Sequence, residues 1–245
     1  MSLILAMIIG VLVGFLINYF ADVLPEFRSI TRPLCESCKE PYSIKDYLLS
    51  FQCSRCGHRV SARKFIVLIT AIIACVLLLS FPFSDLGFWE TLPILVFLGV
   101  IMVIDIEHHL VLWQTSLFGV ALFAVYGFFL HGVAMTFLGA LGGFLVTLSF
   151  FLLGMAFSAI AGRIRRKQID EVAFGFGDVL VGTFLGMLAG WPAIAAAILI
   201  GIFTFSAFSV ALVLILLLTK RYQAFSHPQP FTLFLILGTI AIFYL

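Results

Sequence analysis

The distribution of charge constrains this chain more than any other feature. Residues 108–162 and 179–219 contain no Asp, Glu, Lys or Arg. A helix needs about 20 apolar residues to cross a bilayer, so each stretch is long enough for two spans. Charged residues make up 11% of the 245 residues and hydrophobic residues 63%, whereas soluble domains contain roughly 25% and 45–50%. This composition excludes a soluble enzyme, a disordered chain and a nucleic-acid-binding domain, and it predicts an all-α polytopic membrane protein.

Other apolar stretches raise the predicted number of transmembrane helices to eight. They lie at residues 1–21, 65–84, 91–104 extended back over Leu86–Trp89, and 222–245. The predicted organisation has three parts. They are a first transmembrane helix at 1–23, a cytoplasmic loop at 24–64, and a seven-helix transmembrane region at 65–245 that carries the candidate catalytic residues.

The basic residues predict the orientation of these spans. All 14 Lys and Arg fall within Arg28–Lys64, Arg163–Lys167 and Lys220–Arg221, which the positive-inside rule places in the cytoplasm. Even numbers of predicted spans separate these segments, so both termini are expected outside. The same parity puts the turn Asp105–His109 at the cytoplasmic face. The expected outer turns are 81–90, 130–134 and Gly190–Pro192.

Four cysteines in the cytoplasmic loop predict a metal site. Cys35, Cys38, Cys53 and Cys56 form two C-x2-C pairs separated by 14 residues. Each pair presents two thiolates to one ion, and the two pairs complete the tetrahedron of a structural zinc site. Four protein ligands leave no open coordination position. The alternative is a pair of redox-active or idle turns, and Cys75 in an apolar span is expected to be a buried small hydrophobe.

Two aspartates stand at the cytoplasmic ends of predicted spans. Asp105 ends the apolar run Leu92–Ile104, and Asp178 precedes the run from Val179. Ionisable residues at a membrane are costly and need a reason. Asp22, at the end of the first span, has the simpler interpretation of a helix-terminal charge.

Paired carboxylates that share a proton and a water are the equipment of an aspartic protease. Gly175 and Gly177 precede Asp178 and lack side chains, so a substrate backbone could approach closely there. We therefore treat both glycines as candidate substrate-binding residues. The spacing alone leaves an alternative open, in which the glycines serve tight helix packing beside an interfacial aspartate.

The chain resembles the bacterial type IV prepilin peptidases along nearly its whole length. Gly10–Asn18 with Leu24-Pro25 resembles the family's amino-terminal signature, and the paired C-x2-C loop follows it. Ile104–His109 and Gly175–Asp178 resemble its two aspartate motifs. The resemblance implies that Asp105 and Asp178 are a catalytic dyad at the cytoplasmic face of the bacterial inner membrane. It implies prepilin or pseudopilin substrates, and it admits a second activity, methylation of the new N-terminus with S-adenosylmethionine.

Two other functions remain open from the sequence. A transporter or channel with interfacial carboxylates and a zinc-ribbon regulatory loop would place its carboxylates near the bilayer midplane, at broken helices. A presenilin-like intramembrane protease also uses G-x-G-D but gives no reason for the four cysteines. His108 and His109 are expected to be interfacial polar residues, and Asn18 is expected to hydrogen-bond another helix. The expected partners are substrate and lipid, with the oligomeric state open.

Overall fold

The computed structural model describes most of the chain as helix. The described residues are 2–27, 31–35, 37–43, 45–47, 52–59, 61–83, 86–165, 175–219 and 229–245. Within them are seven helices and no strand. The helices are α1 (Leu3–Phe27), α2 (Ala62–Ser80), α3 (Phe88–His108), α4 (Trp113–Arg165), α5 (Phe176–Ala189), α6 (Ala193–Thr219) and α7 (Phe231–Ile242). The predicted all-α class is confirmed.

Five of these helices are long and apolar enough to cross a membrane. They are Leu3–Glu26, Ala62–Ser80, Phe88–His108, Trp113–Ile160 and Ala193–Thr219. The helices α5 and α7 are apolar but have only 14 and 12 residues, fewer than the roughly 20 that a full span needs. The count of eight spans stays a prediction. Lys167 and Lys220–Arg221, which helped to predict the orientation, lie outside the described residues.

The long helix α4 folds back on itself at Gly132. This residue has φ 80° and ψ 170°, a conformation that favours glycine and breaks a helix. A Cβ added to Gly127 would lie 2.8 Å from the Thr136 hydroxyl oxygen, although nine residues of straight helix span about 13 Å. The two arms therefore meet as a hairpin, and its turn falls within the predicted turn 130–134.

The chain forms two compact units, Met1–Ile104 and Asp105–Leu245. In the first unit, α1 packs against α2 through glycines one turn apart. A Cβ on Gly10 would lie 2.6 Å from the Ile72 Cα, and one on Gly14 would lie 3.0 Å from the Leu68 Cα. One turn further along α1, the Asn18 amide donates 3.2 Å to the Lys64 carbonyl of α2. The predicted interhelical role of Asn18 is confirmed.

In the second unit, glycines bring α4 and α5 into close contact. A Cβ on Gly139 would collide with the Gly186 carbonyl, and one on Gly143 would collide with the Gly182 carbonyl. The helix α5 also contacts α6 and α7, and α6 packs against α7. This packing places the N-termini of α5 and α7 side by side, so that Asp178 and Thr232 are in contact.

Candidate active site and metal centre

The structure places Asp105 in the last turn of α3. The helix ends at His108, and the next residue, His109, has a φ of +50°. The turn that the sequence predicted from Asp105 therefore begins about four residues later, at His109. The Asp105 side chain is buried, with 6% of its residue surface exposed. Its Oδ2 atom is fully buried and has no hydrogen-bond partner. Such an atom is costly in a folded protein and points to a special role.

Asp178 occupies the first turn of α5 in a reciprocal cap. The Gly175 N–H donates 3.0 Å to Asp178 Oδ2, and the Asp178 N–H donates 3.1 Å to the Gly175 carbonyl. Gly175 is the N-cap of the helix and has extended angles. The free N–H groups of a helix N-terminus stabilise a negative charge there. The local sequence therefore holds Asp178 in one orientation, and its hydrogen-bond donors stabilise the ionised form against the opposing effect of burial.

Thr232 of α7 is the residue that joins the two aspartates. Its fully buried hydroxyl donates 2.7 Å to Asp178 Oδ1. The Asp105 carboxyl lies near enough to interact with the same hydroxyl and with the charge of Asp178. Two carboxylates that are 73 residues apart in the sequence thus meet around one hydroxyl group.

Sequence reasoning missed Thr232, and its signal is weak. Threonines in apolar helices usually bond a carbonyl of their own helix, as Thr183, Thr204 and Thr239 do here. Thr232 lies in the first turn of α7, where no preceding helical carbonyl can accept its proton. That position after Pro230 was the available clue.

The glycines before Asp178 have different surroundings. Gly175 is exposed and caps α5. A Cβ on Gly177 would lie 2.7 Å from the Val111 Cβ, so Gly177 has a packing reason for lacking a side chain. The predicted contact of both glycines with a substrate stays a prediction.

The surroundings of the two aspartates contain no cation among the residues that the structure describes. His108 and His109 have exposed side chains, and neither has a hydrogen bond or ion pair to a carboxylate within those ranges. The carboxylate neighbours are instead one hydroxyl, one backbone N–H and apolar groups. Such a pair cannot easily carry two negative charges, so one shared proton is expected.

The four loop cysteines converge on one point. Their Sγ atoms all lie within 4.8 Å of one another. The Cys35 and Cys56 sulfurs are 3.6 Å apart, and the Cys38 and Cys53 sulfurs are 3.7 Å apart. A tetrahedral zinc with bonds of about 2.3 Å has sulfurs about 3.8 Å apart. The donor set fits zinc or a metal of similar preference.

Two matching turns build this cluster. The Cys35 N–H donates to the Glu40 carbonyl and the Cys53 N–H donates to the His58 carbonyl, both at 2.9 Å. The residue after the second cysteine of each pair is left-handed, with φ 57° at Lys39 and 72° at Gly57. His58 thus supplies a backbone acceptor to the turn, and it is absent from the ligand cluster.

The environment of the Cys35 thiol also suits a metal ligand, whereas burial and the neighbouring thiols raise the pKa values of Cys38 and Cys56. Burial opposes ionisation of Cys35, but the N–H groups of Cys38 and Ser37 and the Tyr42 hydroxyl outweigh it and lower the pKa of Cys35 to about 6. Stabilised thiolates are the form that binds zinc. Cys75 is buried in α2 and does not belong to the cluster.

A further, partly buried carboxylate lies where α1, α2 and the cysteine loop meet. Asp22 forms ion pairs with Arg63 and with Lys64, whose Nζ is 2.8 Å away. It also accepts a 2.6 Å hydrogen bond from the Tyr47 hydroxyl. Burial and the neighbouring Asp22 charge raise the pKa of Tyr47 well above its usual range. The interpretation of Asp22 as a simple helix-terminal charge is therefore incomplete, because it anchors three segments.

Comparisons with protein-family models, with curated proteins and with solved structures find no match to this chain.

Proposed function

We propose that this chain is a membrane-embedded aspartic endopeptidase that removes the leader peptide of type IV prepilins or pseudopilins. The observation that carries the proposal is the meeting of Asp105 and Asp178 around the Thr232 hydroxyl, with no cation among the described neighbours. Carboxylates that pair with each other have the acid and base forms that peptide hydrolysis requires. The motif resemblance supplies the substrate class.

The proposed reaction uses one ionised and one protonated aspartate. The ionised member takes a proton from water while the water oxygen attacks the peptide carbonyl carbon. The protonated member gives its proton to the carbonyl oxygen, which yields a tetrahedral diol. The C–N bond then breaks, the leaving nitrogen takes the proton that came from water, and a diol proton returns to the other aspartate. The pair ends with the single proton with which it began.

The metal has no step in this reaction. Cys35, Cys38, Cys53 and Cys56 would hold a zinc ion in a closed four-sulfur site, which fixes the fold of the loop and offers no open position for a substrate. The chemistry is assigned to the aspartates alone.

The proposed site faces the cytoplasm of the bacterial inner membrane. The support is the placement of all Lys and Arg in three segments. Reporter fusions after Lys64 and after Lys167 should read as cytoplasmic, and one near His131 should read as external. A cytoplasmic signal at His131 would contradict the proposed topology.

The test of activity is a single incubation. Purified full-length protein is mixed with a prepilin and S-adenosylmethionine, and mass spectrometry reports leader removal and N-methylation together. We expect loss of the leader peptide, with Asp105→Asn and Asp178→Asn as inactive controls. Intact prepilin after incubation with folded, metal-loaded protein would overturn the proposal. Proton-coupled flux in liposomes without cleavage would favour the transporter alternative.

A further inference from the structure

The first inference deepens the proposed function, on which it rests, and concerns the division of labour between the two aspartates. Both oxygens of Asp178 accept hydrogen bonds, Oδ1 from Thr232 and Oδ2 from the Gly175 N–H. Asp178 also lies at the N-terminus of α5, where the helix dipole favours a negative charge. Hydrogen bonds to the charged form and a favourable dipole both stabilise the carboxylate.

Asp105 has the opposite surroundings. It lies in the last turn of α3, where the helix dipole disfavours a negative charge. Its Oδ2 is buried without a hydrogen-bond partner, whereas an ionised oxygen in that position would need a donor. A protonated carboxyl avoids most of this cost and carries the proton that the carbonyl oxygen receives in the proposed reaction.

We infer that Asp105 holds the shared proton and that Thr232 positions Asp178 as the carboxylate that takes a proton from water. The Thr232 hydroxyl has a single hydrogen, which it donates to Asp178. Its oxygen keeps two lone pairs, and they can face Asp105 favourably only when Asp105 carries a proton. One hydroxyl therefore sets the order of protonation. Thr232 acts through Asp178 and is a positioning residue.

The test replaces the hydroxyl while keeping the shape of the side chain. Thr232→Val should lower kcat for leader cleavage about tenfold or more and move the acidic limb of the pH–rate profile to higher pH, because the ionised form of Asp178 loses a donor. Thr232→Ser should keep the limb and most of the rate. Thr239→Val is the matched control, since Thr239 is an equally buried hydroxyl of α7 that bonds only its own helix. An unchanged profile in Thr232→Val, or equal losses in the Ser and Val variants, would overturn the inference.

Infrared spectroscopy provides a readout that needs no activity. At neutral pH, Asp105→Asn should remove the protonated carboxyl stretching band of the folded protein, and Asp178→Asn should leave a carboxyl band. The reverse pattern would contradict the assigned roles even if the wild-type protein cleaves prepilin. Failure of the wild-type protein to cleave would count against the proposed function, while the infrared result would still decide the protonation order.

A second inference rests on a separate feature, a groove in the unit Met1–Ile104. Its volume is about 530 Å³. One wall is formed by α1 and the other by the cysteine loop. The residues that matter are Leu12, Phe15, Leu16, Tyr19, Arg32 and Ser43.

The groove is apolar where α1 lines it and has a cation, Arg32, on the wall formed by the loop. Leu12 and Leu16 lie on a membrane-length helix and are 63% and 43% exposed. Tyr19 follows Leu12 by seven residues, about 10 Å along the helix, and its hydroxyl donates 2.9 Å to the Thr31 carbonyl. Tyrosines of this kind mark the boundary between hydrocarbon and water. Arg32 is the residue after Thr31 and therefore lies next to this hydrogen bond.

Arg32 differs from several other cations of the loop. Arg55 pairs with Glu40 and Lys39 pairs with Glu26. No carboxylate within the described ranges pairs with Arg32. The groove thus runs from apolar side chains to a guanidinium that has no counter-charge among the described carboxylates. This arrangement matches a lipid, in which an acyl chain is followed by a phosphate.

We propose that this groove binds one anionic phospholipid, with its upper acyl chain against Leu12 and Leu16 and its phosphate at Arg32. An uncharged apolar peptide segment could cover the leucines but would leave the guanidinium without a counter-charge. The groove volume lies in the range of ordinary small-ligand sites, about 300–1,000 Å³.

The test compares lipids of different headgroup charge. Full-length protein in detergent is incubated with phosphatidylglycerol or phosphatidylcholine, and native mass spectrometry counts the lipid retained. We expect about fivefold preferential retention of phosphatidylglycerol and its loss in Arg32→Gln. Arg59→Gln is the matched control, because Arg59 is an exposed arginine of the same loop outside the groove. Equal retention of the two lipids, or equal losses in the two variants, would overturn the proposal, as would full competition by glycerol phosphate alone.

Discussion

Two sets of buried or partly buried carboxylates in this chain have opposite surroundings. Asp22 contacts Arg63, Lys64 and the Tyr47 hydroxyl. Asp178 accepts hydrogen bonds from a threonine hydroxyl and a glycine N–H, and Asp105 lies near the same hydroxyl, with no cation among the described residues. The negative charge of aspartate is thus balanced by cations in one region. In the other region two aspartates lie together, and a shared proton is expected to lower their charge.

On the proposed function, the difference separates a structural carboxylate from a reactive pair. A carboxylate held by two cations stays ionised and fixes the segments that supply the cations. Two carboxylates without cations must share a proton, and a shared proton is available for transfer. Lys64 strengthens the structural set further, because its ammonium lies 4.0 Å from the centre of the Tyr47 ring. We therefore expect the two regions to respond differently to the same Asp→Asn change.

The largest expected effect is on catalysis. Asp105→Asn and Asp178→Asn should each lower leader cleavage by about a thousandfold or more, because general acid–base chemistry is lost. Asn keeps the volume, so the thermal unfolding temperature in detergent should stay within a few degrees of wild type. The matched control is Asp46→Asn, a loop carboxylate that should retain cleavage. Near wild-type turnover by Asp178→Asn would eliminate the aspartic mechanism.

The next effect is on stability and concerns Asp22. Asp22→Asn removes the counter-charge that Asp22 supplies to the buried Lys64 and the partly buried Arg63, which should cost about 2–4 kcal/mol of unfolding free energy. Cleavage per folded molecule should remain. Chemical denaturation followed by tryptophan fluorescence, together with the cleavage assay, measures both quantities. If Asp22→Asn lost cleavage activity but kept its stability, Asp22 would have a functional role and the contrast between the two regions would be wrong.

Metal removal should loosen the structural region. Tyr42 and Tyr47 pack with Cys35 and Cys53 in one buried cluster, so the metal site helps to hold Tyr47 against Asp22. We expect about one zinc per chain by elemental analysis, falling to roughly a tenth in Cys35→Ser. Limited proteolysis should cleave that variant between residues 31 and 59 faster than it cleaves the wild-type protein. Cys75→Ser should keep the metal, and a metal-free wild-type protein would refute the site.

The smallest effect concerns the Tyr47 hydroxyl. Tyr47→Phe removes one hydrogen bond to a charged group and should cost about 1–2 kcal/mol. Burial and the Asp22 charge raise the pKa of Tyr47. An unfolded tyrosine loses its phenol proton at about pH 10, whereas the folded state keeps it there. The stabilisation is therefore present below that pH and lost as the pH rises above it. Wild-type and Tyr47→Phe stability should converge in alkaline denaturation, and parallel curves would contradict this account.

The sequence determined the features that depend on composition and short spacing. The apolar stretches predicted helices where α1, α2, α3 and α6 lie, and Gly190–Pro192 marked the turn between α5 and α6. The cysteine spacing predicted a cluster whose sulfurs do converge. These features are local, because a helix and a C-x2-C turn form from residues within a few positions of one another.

Tertiary structure alone decided which polar groups meet. Thr232 lies 54 residues from Asp178, and Arg63 lies 41 residues from Asp22. Their contacts depend on how closely helices approach, which glycines such as Gly10 and Gly143 control through backbone contact. Composition shows that a glycine is present but does not show which carbonyl it will touch. The partner of each carboxylate, and with it the difference between the structural aspartate and the pair proposed to be reactive, is therefore fixed by packing between distant segments.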